Sequence, residues 1–239
     1  MTQRSLEICF TPAAFDAHAD SESVVVIVDV LRATSSICTA FANGVLEIIP
    51  VTTVDEAREM KSKGFLVAAE RDGFVLDFAD FGNSPFNFSA EKVKGRSVVY
   101  STTNGTGIMK RASGSHDVVI GSYLNISALC RWLEEQERKV IIVCAGWKNR
   151  FSLEDAVCAG AIAARLLGGG RFTTICDSVH AATDLWRAAA DDLTGYIDKA
   201  AQRSRLREKG LDDCIGYCHT FDVTDTIPVL RDGRLVSLR

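Results

Sequence analysis

Short runs of apolar, mostly β-branched residues recur along this chain, separated by stretches with helical periodicity. Residues 24–30 read Val-Val-Val-Ile-Val-Asp-Val, a run that suits a strand covered on both faces. Similar runs at 97–100, 118–120, 139–144 and 172–176 predict further strands. Between them stand helix signals. Thr53 with Glu56 makes a capping box and Gly64 stands where that helix should stop, while Ser152 with Asp155 at N3 opens a helix through Ala156, Ala159, Ile162 and Ala163. Near the end, Asp232-Gly233 between alternating residues is a hairpin signal, which would add an antiparallel ribbon to the sheet. Strands alternating with helices predict an α/β fold, a three-layer α/β/α sandwich whose mixed sheet is largely parallel. No linker divides the 239 residues, so a single α/β domain over 1–239 is expected, and a shared rhythm between 24–44 and 140–160 hints at two related halves.

Composition narrows the function. Lys plus Arg number 27 and Asp plus Glu 31, with no basic block to track a phosphate backbone, so nucleic acid is not expected. No apolar run is long enough to span a bilayer and the N-terminus lacks a signal-peptide core, which predicts a cytoplasmic protein with no membrane partner. Most of the eight cysteines sit inside apolar segments, as buried thiols do. Cys214, Cys218 and His219 would share a helix face, either as a small metal site or as a partly buried surface.

Ligands of open α/β sheets bind beyond the carboxyl ends of the strands, and polar loops stand at such positions here. Asp29 ends a buried strand and Arg32 follows three residues later, ahead of Thr34, Ser35 and Ser36. The loop Ser101, Thr102, Thr103, Asn104, Gly105, Thr106, Gly107 gathers hydroxyls and glycines before a helix, the makings of an anion cradle, although it lacks the Gly-Lys-Ser/Thr ending of a nucleotide loop. Glu70-Arg71-Asp72-Gly73 and Gly82-Asn83-Ser84-Pro85 form another polar pair of loops. Glu154 and Asp155 open a helix beyond Cys144; they either complement its dipole or, opposite Asp29, hold Mg²⁺.

Taken in order, Asp29-Val-Leu-Arg-Ala-Thr34, Glu70-Arg-Asp-Gly73, Gly82-Asn-Ser-Pro85, Ser101-Thr-Thr-Asn-Gly-Thr106, Gly121-Ser-Tyr-Leu-Asn125 and Glu154-Asp155 resemble the 2-phosphosulfolactate phosphatase family of coenzyme M biosynthesis, over about residues 5 to 230. The resemblance implies Mg²⁺-dependent hydrolysis of a small phosphorylated acid, 2-phospho-3-sulfolactate. It implies a site lined by Asp29, Arg32, Glu70, Arg71, Asn83, Ser101 through Thr106, Asn125, Glu154 and Asp155. By chemistry, Mg²⁺ would sit on Asp29 with Glu154 or Asp155, and Arg32 with the 101–106 loop would hold the anionic groups, or Asp29 would attack phosphorus directly. Leu31 stands where aspartyl-phosphatases carry a second Asp. Beside the substrate, a second copy of the chain in a homodimer is the partner kept in view. Two other readings remain: a cysteine hydrolase of small amides using Asp29 and Cys144, activated through Lys148 or a lysine elsewhere, and a non-catalytic module that binds a phosphorylated metabolite.

Overall fold

A computed structural model describes residues 4–102 and 105–238. The chain begins with β1 (Arg4–Cys9), β2 (Val24–Val28), α1 (Ala33–Ala42), β3 (Glu47–Pro50) and α2 (Val54–Ser62). It continues with β4 (Leu66–Arg71), β5 (Phe74–Val75), α3 (Ala90–Val93), β6 (Ser97–Ser101), α4 (Gly105–Arg111) and β7 (Asp117–Gly121). Then come α5 (Ile126–Glu135), β8 (Val140–Cys144), α6 (Leu153–Gly168), β9 (Phe172–Thr173) and α7 (Asp177–Ala189). The last elements are α8 (Leu193–Ile197), α9 (Ala201–Glu208), α10 (Ile215–Cys218), β10 (Pro228–Arg231) and β11 (Arg234–Ser237).

The strands form one mixed sheet in the order β5-β4-β6-β3-β11-β10-β7-β2-β8-β1-β9. It is an α/β fold with helices on both faces. Two parallel blocks, β4-β6-β3 and β7-β2-β8-β1-β9, are joined by the antiparallel hairpin β10–β11. The sequence reads that ribbon correctly as a hairpin, and the structure sets it in the middle of the sheet. There Val229, Leu235 and Ile227 are fully buried, which rewards a central place over an edge.

The sheet curls around α1. Val25 and Ile27 of β2 and Val98 and Tyr100 of β6 share one hydrophobic cluster with Ala33, Ile37, Cys38 and Phe41 of α1. Val24, Val26 and Val28 face the other way, onto α5, α6 and α7, while Val67 and Val99 pack with Ala57 of α2. Helix α1 is therefore shared between the two blocks, which explains its lack of a solvent-exposed face: Ala33 through Phe41 are all buried, the hydroxyls of Thr34, Ser35, Ser36 and Thr39 included.

Local signals act as expected at α2, where Thr53 Oγ1 accepts Glu56 N–H at 3.1 Å and Glu56 Oε2 accepts Thr53 N–H at 3.0 Å. Gly64 ends it at φ +87°. Two strands are shorter than the apolar runs suggest. β2 stops at Val28 because Asp29 N–H turns to Thr34 Oγ1 (3.2 Å). β9 stops at Thr173 because Thr174 Oγ1 bonds Leu6 carbonyl (2.8 Å) and then takes Cys176 N–H (3.0 Å), steering the chain into α7.

Candidate active site

Asp29 sits where β2 gives way to α1. Its carboxylate accepts the N–H of Ala33 and its carbonyl accepts Thr34 N–H (2.8 Å), so it does the work of a helix cap that Arg32, the formal N-cap residue, does not. Burial, followed by the charges of Glu70 and Glu154, nevertheless pushes its pKa up to about 7, against the counter-effects of Ala33 N–H and Arg32. Arg32, joined to Leu31 by a cis peptide, is only 5% exposed. Among the described residues no carboxylate lies within 4.0 Å of its guanidinium.

A pocket at this end of the sheet is lined by Asp29, Arg32, Glu70, Asn83 and Thr102, with Asp72, Trp147, Gln202, Arg205 and Lys209 closing the other side. In a flat sheet Asp29 just after β2 and Glu70 on β4, six strands apart in the order, would stand roughly 29 Å from each other at about 4.8 Å per strand. The curl around α1 brings them to one cavity. Glu70 is held by Gly73 N–H on Oε2 (2.6 Å). Arg71 turns aside, donating to Glu70 carbonyl (2.6 Å) and Ser101 Oγ (3.0 Å). The turn between β4 and β5 is Asp72-Gly73, at φ +52° and +91°, the same dipeptide signal as Asp232-Gly233.

Thr102 Oγ1 and Asn83 Oδ1 are buried without a hydrogen-bond partner, and both residues line the pocket. Unpaired buried polar atoms are costly, so two in one cavity mark it as a place that receives polar ligands. Gly105 packs against Asp29: a Cβ there would stand 3.3 Å from Asp29 Oδ2 and 3.6 Å from Thr102 Oγ1. Thr106 bonds back to Thr102 carbonyl (3.4 Å). Thr103 and Asn104 lie outside the described residues.

Three of the expected residues play supporting parts. Asp155 accepts Val30 N–H and Gly146 N–H, and burial with the charges of Asp29 and Glu154 holds its pKa well above the carboxylate range. Gly146 is required there, at φ +60° with the site of a Cβ 2.2 Å from Arg150 carbonyl. Glu154 is buried and is not among the residues that line the pocket; its pKa is raised by burial, partly offset by its own backbone N–H, Ser152 and Arg205. Asn125 lies outside the pocket; its amide is consumed by Ser122 N–H, Ile120 carbonyl and Thr226 carbonyl, each at 3.1 Å. Ser152 does not cap α6 with its side chain.

The thiol reading is corrected by burial. Cys144 is fully enclosed at the end of β8, and burial with the nearby Asp155 drives its pKa far above the thiol range, opposite to what a nucleophile needs. Lys148 instead pairs with Asp72 at 3.1 Å. Cys214 and Cys218 face each other, and the Cys218 contact lowers Cys214 to about 7, while His219 Nδ1 meets Thr194 Oγ1 at 3.0 Å. Among the described residues no three imidazole, thiolate or carboxylate groups converge closely enough to hold a metal ion by themselves. Nor is any helix long and apolar enough to cross a membrane.

Residues 9–233 match the family described as 2-phosphosulpholactate phosphatase. The chain belongs to that family. Relatives named "Probable 2-phosphosulfolactate phosphatase" include one from Caldanaerobacter subterraneus, 37% identical over 216 residues and 89% of each chain. One from Thermotoga maritima is 37% identical over 208 residues, covering 87% of this chain and 89% of the relative. Another, from Clostridium perfringens, is 31% identical over 239 residues, covering 98% and 96%. Members of the 2-phosphosulpholactate phosphatase family are phosphoric monoester hydrolases, which sets aside the non-catalytic module. The pocket wall supplied by Trp147, Gln202, Arg205 and Lys209 is the part that sequence reasoning does not assign. Helix α9 reads Ala-Gln-Arg-Ser-Arg-Leu-Arg-Glu, a pattern that any solvated helix could carry.

Proposed function

We propose that this protein hydrolyses the phosphomonoester of 2-phospho-3-sulfolactate to 3-sulfolactate and phosphate, with Mg²⁺ as its cofactor. The observation that carries this is Arg32: a buried guanidinium beside Asp29, without a carboxylate partner among the described residues, faces a pocket that also holds the unpaired Thr102 hydroxyl. A buried cation without an anion calls for one, and the guanidinium fork matches a phosphoryl group. Thr102 Oγ1 supplies a further donor to the same group.

Mg²⁺ fits the donor set. The carboxylates of Asp29 and Glu70 share the pocket and repel each other, which is part of why the pKa of Asp29 is raised. Mg²⁺ is commonly held by one or two carboxylates with water and substrate oxygens, so it needs no cage of three side chains. Asp29 and Glu70 would hold it, with Glu154 adding negative charge nearby. Bound there, it would offset the negative charge of the phosphoryl oxygens.

The remaining chemistry falls to the chain itself. A carboxylate oxygen of Asp29 takes a proton from the attacking water, whose oxygen forms the new bond to phosphorus. The bond from phosphorus to the C2 oxygen breaks, and the proton goes to the leaving alkoxide. Arg32, with the Thr102 hydroxyl, holds the phosphoryl oxygens through this exchange. Phosphate release from 2-phospho-3-sulfolactate tests the reading, measured for wild type and Arg32→Gln with Mg²⁺ and after chelation. We expect turnover by wild type, loss on chelation with recovery on adding Mg²⁺, and a fall in kcat/KM of about 100-fold or more in the variant. No release by wild type rejects the activity, and full release after exhaustive chelation rejects the cofactor.

A further inference from the structure

Helix α9 carries three arginines, and two are committed to carboxylates. Arg203 pairs with Asp212 at 2.7 Å and with Asp198 at 3.4 Å, and Arg207 pairs with Asp198. Arg205 has no carboxylate within ion-pairing distance among the described residues. Its side chain is positioned all the same. Nε donates to Gln202 Oε1 at 2.9 Å, and Gln202 Nε2 in turn reaches the carbonyl of Leu31 at 3.4 Å, inside the Asp29 to Arg32 loop. The guanidinium lies 4.2 Å over the Trp147 ring. Stacking and the Nε bond fix the plane of the fork, and Arg205 lines the same pocket as Arg32.

The pocket thus has two guanidinium groups without carboxylate partners, one deep and one at the lip. A substrate with one anionic group would use the first and leave the second idle. The molecule assigned above carries a phosphate, a carboxylate on the esterified carbon and, on the next carbon, a sulfonate; 2-phospholactate keeps the first two and lacks only the sulfonate. A sulfonate spreads its charge over three oxygens and is weakly hydrated, which matches a stacked, weakly hydrated guanidinium better than an ammonium.

We propose that Arg205, steadied by Trp147 and Gln202, receives the sulfonate and so decides which phosphorylated acid the enzyme prefers. This rests on the hydrolase reading for the identity of the substrate, while the anion contact itself is separable from turnover. Arg205 acts on specificity; Arg32 and Asp29 act on the phosphoryl group.

The test has two arms. In the first, kcat and KM are measured for 2-phospho-3-sulfolactate and for 2-phospholactate, which lacks the sulfonate, with wild type, Arg205→Gln and Arg205→Lys. The preference for the sulfonated ester should fall by roughly 10- to 100-fold in Arg205→Gln, with Arg205→Lys in between. Equal losses on both esters, or none, overturn the assignment. In the second arm, calorimetric titration follows 3-sulfolactate and lactate binding to the same proteins, with thermal melts confirming that they are folded. Arg205→Gln should weaken 3-sulfolactate binding by about 10-fold or more. Unchanged 3-sulfolactate affinity in the folded variant overturns the assignment. If wild type turns over neither ester, the hydrolase reading fails, and Arg205 is then judged on the titration alone.

Discussion

Asp155 reaches across 125 residues of sequence to accept the backbone N–H of Val30 at 2.9 Å, and its second oxygen accepts Gly146 N–H at 3.0 Å. One carboxyl group thereby ties the loop after β2 to the loop after β8. Asp29 and Arg32 flank Val30, and Trp147 follows Gly146, so both walls of the pocket depend on it. Asp155→Ala leaves two buried N–H groups without partners. Stability should fall by about 2–6 kcal/mol in chemical unfolding, at 1–3 per orphaned donor, and kcat/KM should fall with it. A stable, active Asp155→Ala protein would show that the tie is dispensable.

Asp29→Asn should separate function from stability. The ordinary aspartate value is 3.8 and here it is about 7, so folding becomes less favourable as pH rises through that window and the cost is constant above it. An amide keeps an acceptor for Ala33 N–H but carries no charge. At pH 8 we expect the variant to be more stable than wild type by about 1–3 kcal/mol and slower by more than 100-fold in kcat/KM, on the order of 3 kcal/mol. Mg²⁺ should raise the Tm of wild type and leave that of Asp29→Asn nearly unmoved. A variant that still turns over at the wild-type rate would remove Asp29 from the chemistry.

Gly105→Ala is a milder probe of the same carboxylate. The new methyl would press on Asp29 Oδ2 from 3.3 Å without any demand for positive φ. Alanine favours the helix that glycine opens, by about 0.5–1 kcal/mol. Expected, then, is an unchanged or slightly raised Tm with kcat/KM lowered about 10-fold. Steady-state kinetics beside a melting curve would decide, and undiminished catalysis would mean that Asp29 can retreat.

His219 predicts an acid sensitivity of the fold. Burial, with Arg203 nearby, lowers its pKa from 6.5 to about 4, so it is held neutral. The unfolded chain binds the proton first, and stability is lost as pH falls from 6.5 towards 4. The contribution is about 3 kcal/mol at roughly 1.4 per unit. His219→Asn preserves a partner for Thr194 without a titrating ring. Unfolding curves should show the gap between wild type and variant closing by about that amount between pH 7 and 4; parallel curves would contradict the assignment.

Cys144→Ser places a hydroxyl in a sealed site, which costs about 1–3 kcal/mol. Because this thiol is buried and its proton is held tightly, the variant should retain phosphate release within a few-fold. Inactivation of a folded Cys144→Ser protein would restore the thiol to the mechanism.

Much of the pocket was legible because its residues break apolar patterns at strand ends. Asp29 after five buried aliphatics and the hydroxyls after β6 have no reason to interrupt a core unless they serve a cavity, and Asp29, Arg32, Glu70, Asn83 and Thr102 do meet in one. Asn125 occupies a similar strand-end position, yet its amide is used up by backbone groups, a distinction that depends on where Thr226 arrives from a hundred residues away. Arg205 was hidden for the opposite reason. Arg203, Arg205 and Arg207 look alike along the helix, and only the placement of Asp198 and Asp212 separates the paired from the unpaired. The curl of the sheet was equally out of reach, since strand patterns encode which face is buried and not how far the sheet bends. The short β4–β5 turn carried an Asp-Gly signal that could have been read.

The hairpin that joins the two blocks has a dynamic consequence. β10 meets β7 through the single pair Val229 with Val119, and β11 meets β3 through Leu235 with Ile48, whereas β2 is matched to β7 and to β8 over five pairs each. The seam is therefore where the fold is most thinly stitched, and slow deuterium uptake should begin at its amides long before it reaches β2. Asp29 lies on one side of that seam and Glu70 on the other, so each excursion of the stitching changes the width of the gap in which the phosphate must fit.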